Sequence, residues 1–260
     1  MIDPAQRFSS RVEQYVKSRP HYPPEFIRTL EEHCGLTKES VVADIGSGTG
    51  ILTEEFLKNG NRVFGVEPNR EMREAAERLL HAYPLFRSVD GRAESTTLPA
   101  RSVNFVAAGQ AFHWFDRDRA REEFSRILKP DGWVVLLWNE RLTGPAPFLR
   151  EYEELVKRYA TDYAEVDHRK IDRPVLKEFF GGEEIGSGTF HQSQLFDLAG
   201  AESRLLSSSY MPGPGHASYE PMLASLGRIF RANERNGSVA FEYLTLLYYG
   251  RLGAKTATSS

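Results

Sequence analysis

The chain has 260 residues, enough for one large domain whose core needs no disulfide or metal staple. Hydrophobic residues at 40%, charged residues at 27% and scattered Gly and Pro exclude a disordered chain and a fibre. A net charge of −3 gives no broad basic field for nucleic acid, and the longest apolar run, 133–138, is far short of a membrane span.

The opening Met1-Ile2-Asp3-Pro4 lacks the basic and apolar regions of a signal peptide, and the single Cys34 allows no intramolecular disulfide. Both suit a reducing, cytoplasmic location. Phe8, Val12, Tyr15 and Val16 recur at helical spacing, and Arg19-Pro20-His21-Tyr22-Pro23-Pro24 stops that helix in an extended link. A second helix places Phe26, Ile27 and Leu30 inward and ends near Gly35. Strands and helices then alternate. Residues 41–45 read as a buried strand, 51–58 as a helix ending at Asn59-Gly60, and 62–66 as the next strand. Asn69 caps a helix whose inner face is Met72, Ala75, Ala76, Leu79 and Leu80. Strands follow at 85–89 and 103–108, then a helix capped by Asp116 with Ala120, Phe124, Ile127 and Leu128 on one face. Lys129-Pro130-Asp131-Gly132 has the composition of a turn, and 133–138 is a continuous apolar strand. A helix is predicted over 151–163, strands over 189–196 and 239–249, and helices over 198–206 and 218–235.

Near-continuous apolar strands alternating with amphipathic helices predict an α/β, Rossmann-like, doubly wound fold with helices on both faces of the sheet. Five strands before residue 139 and a late pair give a mostly parallel seven-stranded sheet. The expected organisation is one domain over 1–260. It comprises an N-terminal helical lid (1–35), a ligand-binding core (36–139), a helical insertion after the fifth strand (140–180), C-terminal strands and helices (181–250) and a frayed tail (251–260).

The informative stretch is Asp44-Ile45-Gly46-Ser47-Gly48-Thr49-Gly50, an acidic strand end followed by glycines at every second position and then a helix. Glycines let the backbone turn sharply and approach a ligand, and the helix start offers free N–H groups. The dinucleotide fingerprint needs its third glycine where Ile51 stands, and no Gly-Lys-Ser/Thr follows, so neither that motif nor a phosphate loop fits.

Asp44, Gly46, Gly48 and Gly50 resemble motif I of the class I S-adenosylmethionine-dependent methyltransferases. The resemblance extends to Glu67, seventeen residues beyond Gly50, to Asp90-Gly91-Arg92-Ala93-Glu94 with Leu98-Pro99, to 102–106, where the family more often has Asp than Asn104, and to Leu128-Lys129-Pro130-Asp131-Gly132. Ala111-Phe112-His113-Trp114-Phe115 and Arg19-Pro20-His21-Tyr22-Pro23 look like the type 11 branch, which includes trans-aconitate methyltransferase-like enzymes acting on small molecules. Ser207-Ser208-Ser209-Tyr210 fits that branch more loosely.

The resemblance implies S-adenosylmethionine as cofactor, held by the loop Gly46, Ser47, Gly48 and Gly50, with Asp44 near its amino end. Glu67, with Pro68 beside it, would take both ribose hydroxyls, and Ala93 and Glu94 would meet the adenine. Met72 either packs the core or lies against the adenine ring. Gln110 would offer its backbone carbonyl and keep its side chain free. Tyr15 and Arg19 are lid candidates; Arg19 either pairs with the methionine carboxylate or is a surface residue. His113 is either a general base or part of the cleft wall, and His113, Trp114 and Trp138 are substrate-contact candidates. Arg141, Arg169, Arg173 and His216 are mostly surface residues by composition, with an acidic substrate as their other use. Dispersed histidines and a lone cysteine give no metal motif. The implied reaction is O-, N- or carboxyl-methylation of a small-molecule acceptor. The alternatives are a cofactor-binding protein without catalysis and, further off, a nicotinamide-dependent oxidoreductase. Nothing in the sequence fixes the oligomeric state.

Overall fold

The computed structural model describes residues 18–144, 146–161, 173–182, 184–208 and 210–253. After helix α1 (Glu25–Cys34) come β1 (Val41–Ile45), α2 (Ile51–Lys58), β2 (Arg62–Val66), α3 (Arg70–Leu79), β3 (Phe86–Val89), β4 (Val103–Gly109), α4 (Arg117–Ile127) and β5 (Leu128–Arg141). Beyond them lie α5 (Pro147–Tyr159), α6 (Arg173–Phe180), β6 (Gly186–Phe196), α7 (Leu198–Leu206), α8 (Tyr219–Asn233) and β7 (Val239–Gly250). The helix expected around Phe8 to Val16, with Tyr15, lies outside the described residues, as does Arg169.

The strands form one seven-stranded sheet in the order β3-β2-β1-β4-β5-β7-β6. The first five pair in parallel, and β7 runs antiparallel to both β5 and β6. The chain builds outward from β1 through β2 to β3, then crosses back to β4 on the other side. That reversal opens a crevice at the C-terminal ends of β1 and β4.

Alternating side chains sort onto the two faces of the sheet. On one, Ala43, Ile45, Val106, Val134 and Leu136 meet Phe124 and Ile127 of α4 and Phe179 and Phe180 of α6. On the other, Val42, Val63, Phe105, Val135 and Leu137 meet Phe26 and Leu30 of α1 and Leu52 and Phe56 of α2. Each fully buried Leu or Phe contributes about 1.5–3 kcal/mol, so both faces commit the sheet to this register. Asn104, where the resemblance favours Asp, is a structural link: its Oδ1 accepts from the Val41 N–H and the Lys129 ammonium, both at 3.0 Å.

Two expectations need revision. The composition of 129–132 is that of a turn, yet β5 runs through it. Val103 faces Leu128 while Phe105 faces Trp133, so the extra residues form a bulge, with Asp131 in the left-handed region at φ 64°. The helix expected over 151–163 begins a turn earlier, with Pro147 in the first turn, where a missing N–H is harmless. Within 140–180 the two described helices pack in different places. Phe148, Tyr152 and Val156 of α5 join Leu205, Leu226, Phe241 and Tyr243 in a third cluster where β7 overhangs the end of β5, whereas α6 covers the sheet face. Arg141 is correspondingly a largely covered residue, its guanidinium 2.6 Å from Glu153 and over the Tyr152 ring. Arg173 and His216 are exposed, as expected.

Candidate functional site

The Gly46–Gly50 loop doubles back over β2, because the Val66 carbonyl accepts from the N–H groups of Gly46 (2.8 Å) and Ser47 (3.2 Å). Gly46 and Gly48 both have left-handed backbones, at φ 69° and 56°. A Cβ on Gly46 would stand 2.6 Å from that of Ala111, whereas one on Gly48 would project into open space. The loop is thus packed tightly on one side and bare on the other, and a ligand can approach its backbone there.

Two joined chambers open at this point. The larger, of about 410 Å³, is lined by Gly46, Gly48, Glu67, Pro68, Met72, Ala93, Glu94, Gln110 and Trp114 from the sequence-derived set. The smaller, of about 40 Å³, is lined by Arg19, Asp44, Ser47 and again Gly46, Gly48 and Gln110. Sequence reasoning gave no site role to Asn69, Arg92, Phe115, Asp116 and Arg119 around the large chamber or to Pro20, Tyr22, Thr49 and Asn139 around the small one. Asn69 and Asp116 were legible as helix caps, and both are: their side chains accept from the N–H groups of Met72 (3.0 Å) and Arg119 (3.2 Å). A cap at a strand-to-helix junction sits beside the crevice as a matter of topology.

Two buried carboxylates dominate the electrostatics. Glu67, 8% exposed, accepts from the N–H of Gly48 at one oxygen and that of Asn69 at the other, both at 2.9 Å. Burial raises its pKa, the two N–H groups and Arg73 opposing the shift. Asp44, 1% exposed, accepts the Thr53 hydroxyl at 2.6 Å through Oδ2. Burial pushes its carboxyl up to about 7, and the nearby Glu67 charge adds to the shift. Asp44 Oδ1 and Thr49 Oγ1 are buried without a hydrogen-bond partner among the described residues, although both residues line the small chamber. Orphaned buried acceptors are rare in native proteins and mark a place where a polar ligand completes the set.

The structure separates several predicted residues from the site. Gly50 lines neither chamber. It starts α2 at φ 89°, where a Cβ would meet Leu80 at 2.6 Å, so its role is in the fold. His113 also lines neither chamber. It sits on the 3₁₀ turn Phe112–Trp114, whose successive side chains diverge, so that Phe112 enters the core and Trp114 the large chamber. Trp138 is not a chamber residue either. It is 3% exposed beneath the sheet, edge-on to Phe112 (6.2 Å) and Tyr248 (6.0 Å). The Gln110 side chain is engaged, donating to the Asn139 carbonyl at 3.0 Å from a left-handed backbone at φ 58°. Glu94 Oε1 accepts from the Asp116 N–H at 2.9 Å. Arg19 lines the small chamber while donating to the Ser207 carbonyl at 3.0 Å. Cys34 is buried filler, its thiol pushed up to about 12 by desolvation.

Comparison with known proteins gives this geometry a context. Residues 43–136 match the Methyltransferase domain family. An uncharacterized methyltransferase of Schizosaccharomyces pombe is 25% identical over 93% of this chain and 95% of its own length. An uncharacterized methyltransferase of Mycobacterium tuberculosis is 36% identical over 60% of this chain, and the aligned part spans 61% of that relative. Among solved structures, one from Anaeromyxobacter dehalogenans, provisionally described as a type II methyltransferase, superposes with a TM-score of 0.69 at 20% identity over 90% of this chain and 98% of that one. This last likeness is one of fold. The domain match runs through the glycine loop and the first five strands, so over this core the chain is similar to methyltransferases.

Proposed function

We propose that the protein transfers the methyl group of S-adenosylmethionine to a small, partly apolar acceptor. The observation that carries this reading is the pair Asp44 and Glu67, two buried carboxylates on adjacent strand ends that open onto joined chambers of unequal size. The small chamber fits the amino-acid end of the cofactor. Asp44 Oδ1 and Thr49 Oγ1 supply unfilled acceptors for an ammonium group, and Arg19 brings positive charge for a carboxylate. Glu67 fits the ribose: each oxygen already takes one backbone N–H and keeps a second lone pair for a hydroxyl. Met72 and Phe115 give the large chamber apolar walls for an adenine ring, with Ala93 and Glu94 at its edge.

Bound there, S-adenosylmethionine supplies an electrophilic methyl group. The protein's own part is to align an acceptor and exclude water. Alignment of reactants supplies about 7–11 kcal/mol in favourable cases. Trp114, at the chamber edge, offers the flat apolar surface on which a small acceptor can lie. With His113 outside both linings, an acceptor that is already nucleophilic, such as a carboxylate, suits the described residues better than an alcohol that must lose a proton. The net charge of −3 also argues for a small acceptor over a polynucleotide.

The test is an acceptor screen. The protein is incubated with S-adenosylmethionine and separate cellular fractions of small molecules, RNA, DNA and protein, and formation of S-adenosylhomocysteine is followed. The small-molecule fraction is expected to support turnover. Turnover with only a macromolecular fraction contradicts the acceptor class, and turnover with none favours a binding protein.

A further inference from the structure

We infer that Asn139 is a positioning residue of the cofactor site. It fastens segment 19–22 over the small chamber and uses the antiparallel pair β6 and β7 as its anchor. This rests on the reading that the small chamber takes the amino-acid end of S-adenosylmethionine.

Asn139 lies near the C-terminal end of β5, 6% exposed, directly opposite Thr245 of β7. Its Oδ1 accepts the Thr245 hydroxyl at 2.5 Å and the Gln192 side-chain N–H at 3.0 Å. Gln192, from β6, also donates to Thr245 Oγ1 at 2.8 Å. With Oδ1 filled by two donors the amide has one sensible orientation, since the opposite one would set Oδ1 against the two backbone carbonyls of Pro20 and His21. Its Nδ2 therefore points at the link ahead of α1, donating to the carbonyls of His21 (3.2 Å) and Pro20 (3.3 Å). One Gln192 N–H donates to the His21 carbonyl at 3.0 Å, and the other is shared between Asn139 Oδ1 and Thr245 Oγ1.

The clamped segment forms one wall of the site. Arg19, Pro20 and Tyr22 line the small chamber together with Asn139 itself. The Tyr22 hydroxyl occupies the space a Cβ on Gly109 would need, so glycine at the end of β4 is what lets the segment close down. Pro20 and Pro23 lack N–H groups and favour an extended chain, so 19–22 has little helix or sheet bonding of its own and depends on side chains from elsewhere. Those side chains are Asn139 of β5 and Gln192 of β6, with Thr245 of β7 holding Asn139 in place, and all three lie beyond the matched domain at 43–136. The C-terminal strand pair thereby acts on a ligand it does not touch, through Asn139.

The experiment compares two ligands, S-adenosylhomocysteine and 5′-methylthioadenosine, which has the same nucleoside but no amino-acid end. Asn139→Asp puts a carboxylate against two carbonyls, Thr245→Val removes only the hydroxyl, and Thr245→Ser restores it. Asn139→Asp and Thr245→Val are expected to lose about tenfold in S-adenosylhomocysteine affinity and less than about twofold for 5′-methylthioadenosine; Thr245→Ser stays within about twofold of wild type for both. A general structural defect would weaken both ligands alike, and that result, or no loss for either ligand, overturns the inference. Should Asn139→Asp fail to fold, the near-isosteric Thr245→Val and its Ser counterpart carry the comparison. Wild-type protein that binds neither ligand overturns the cofactor reading and this inference together. Wild-type protein that binds both, with variants losing both equally, overturns this inference alone.

Discussion

Replacing Glu67 with alanine lowers the affinity for S-adenosylhomocysteine by about 100-fold, roughly 2.7 kcal/mol, while the protein stays folded. The magnitude follows from chemistry in a buried place. Each hydrogen bond to an ionised group is worth about 1.5–3 kcal/mol, and a carboxylate can meet two neighbouring hydroxyls with its two oxygens. Glu67 also holds the N–H groups of Gly48 and Asn69, so its loss frees the bare side of the glycine loop as well as the ribose partner. The fold survives because burial works against this carboxylate, as its raised pKa records. Removing a group that is strained in the free protein offsets much of the lost bonding. Glu67→Gln keeps an acceptor but sets an amide donor against backbone N–H groups, and an intermediate loss of about tenfold is expected. Calorimetric titration of the three proteins, with thermal unfolding alongside, checks both halves. Unchanged affinity in Glu67→Ala removes Glu67 from the site.

The second large effect is coupling between cofactor binding and a proton on Asp44. Its folded-state pKa of about 7 lies well above the usual carboxylate value of 3.8. Taken alone, this group contributes stability fully present below pH 3.8 and lost as pH rises through about 7, because only the folded state holds the proton in that window. The span corresponds to an upper bound of about 4 kcal/mol. An ammonium group beside Oδ1 favours the carboxylate and draws the pKa back down, so binding expels the proton. Calorimetry at pH 6 in buffers of different ionisation enthalpy is expected to show release of close to one proton per S-adenosylhomocysteine bound, falling towards zero above about pH 8. Asp44→Asn abolishes this release and weakens binding. It also makes the ligand-free protein more stable at pH 8, where the wild type carries the charge. Proton release that persists in Asp44→Asn would assign the coupling to another group.

Much of the scaffold was legible in the sequence because its strands are short apolar runs buried on both faces. The bounds read for β1, α2 and β2 agree residue for residue with the structure. The glycine loop and Glu67 were legible for a related reason: a strand end followed by a tight turn has few residue choices. The misplacements have separate causes. Trp138 lies within a strand, and side chains within a strand point to the faces, where helices cover them. Residues in the loops after β4 and β5 face the crevice, but a three-residue turn sends His113 and Trp114 in different directions, which no spacing rule anticipates. The helix 173–180 was missed because it is short and follows a polar stretch that outweighs Leu176, Phe179 and Phe180 in any window. The Asn139 network was invisible, since its partners Gln192 and Thr245 stand 53 and 106 residues further along and look like ordinary strand positions.

The most direct measurement of the central claim is titration of the wild-type protein with S-adenosylhomocysteine at pH 7. The paired carboxylates and joined chambers predict one site per chain with a dissociation constant on the order of micromolar, or about −8 kcal/mol. A folded protein that releases no heat and shows no thermal shift with the ligand in large excess would contradict the assignment of these chambers to S-adenosylmethionine.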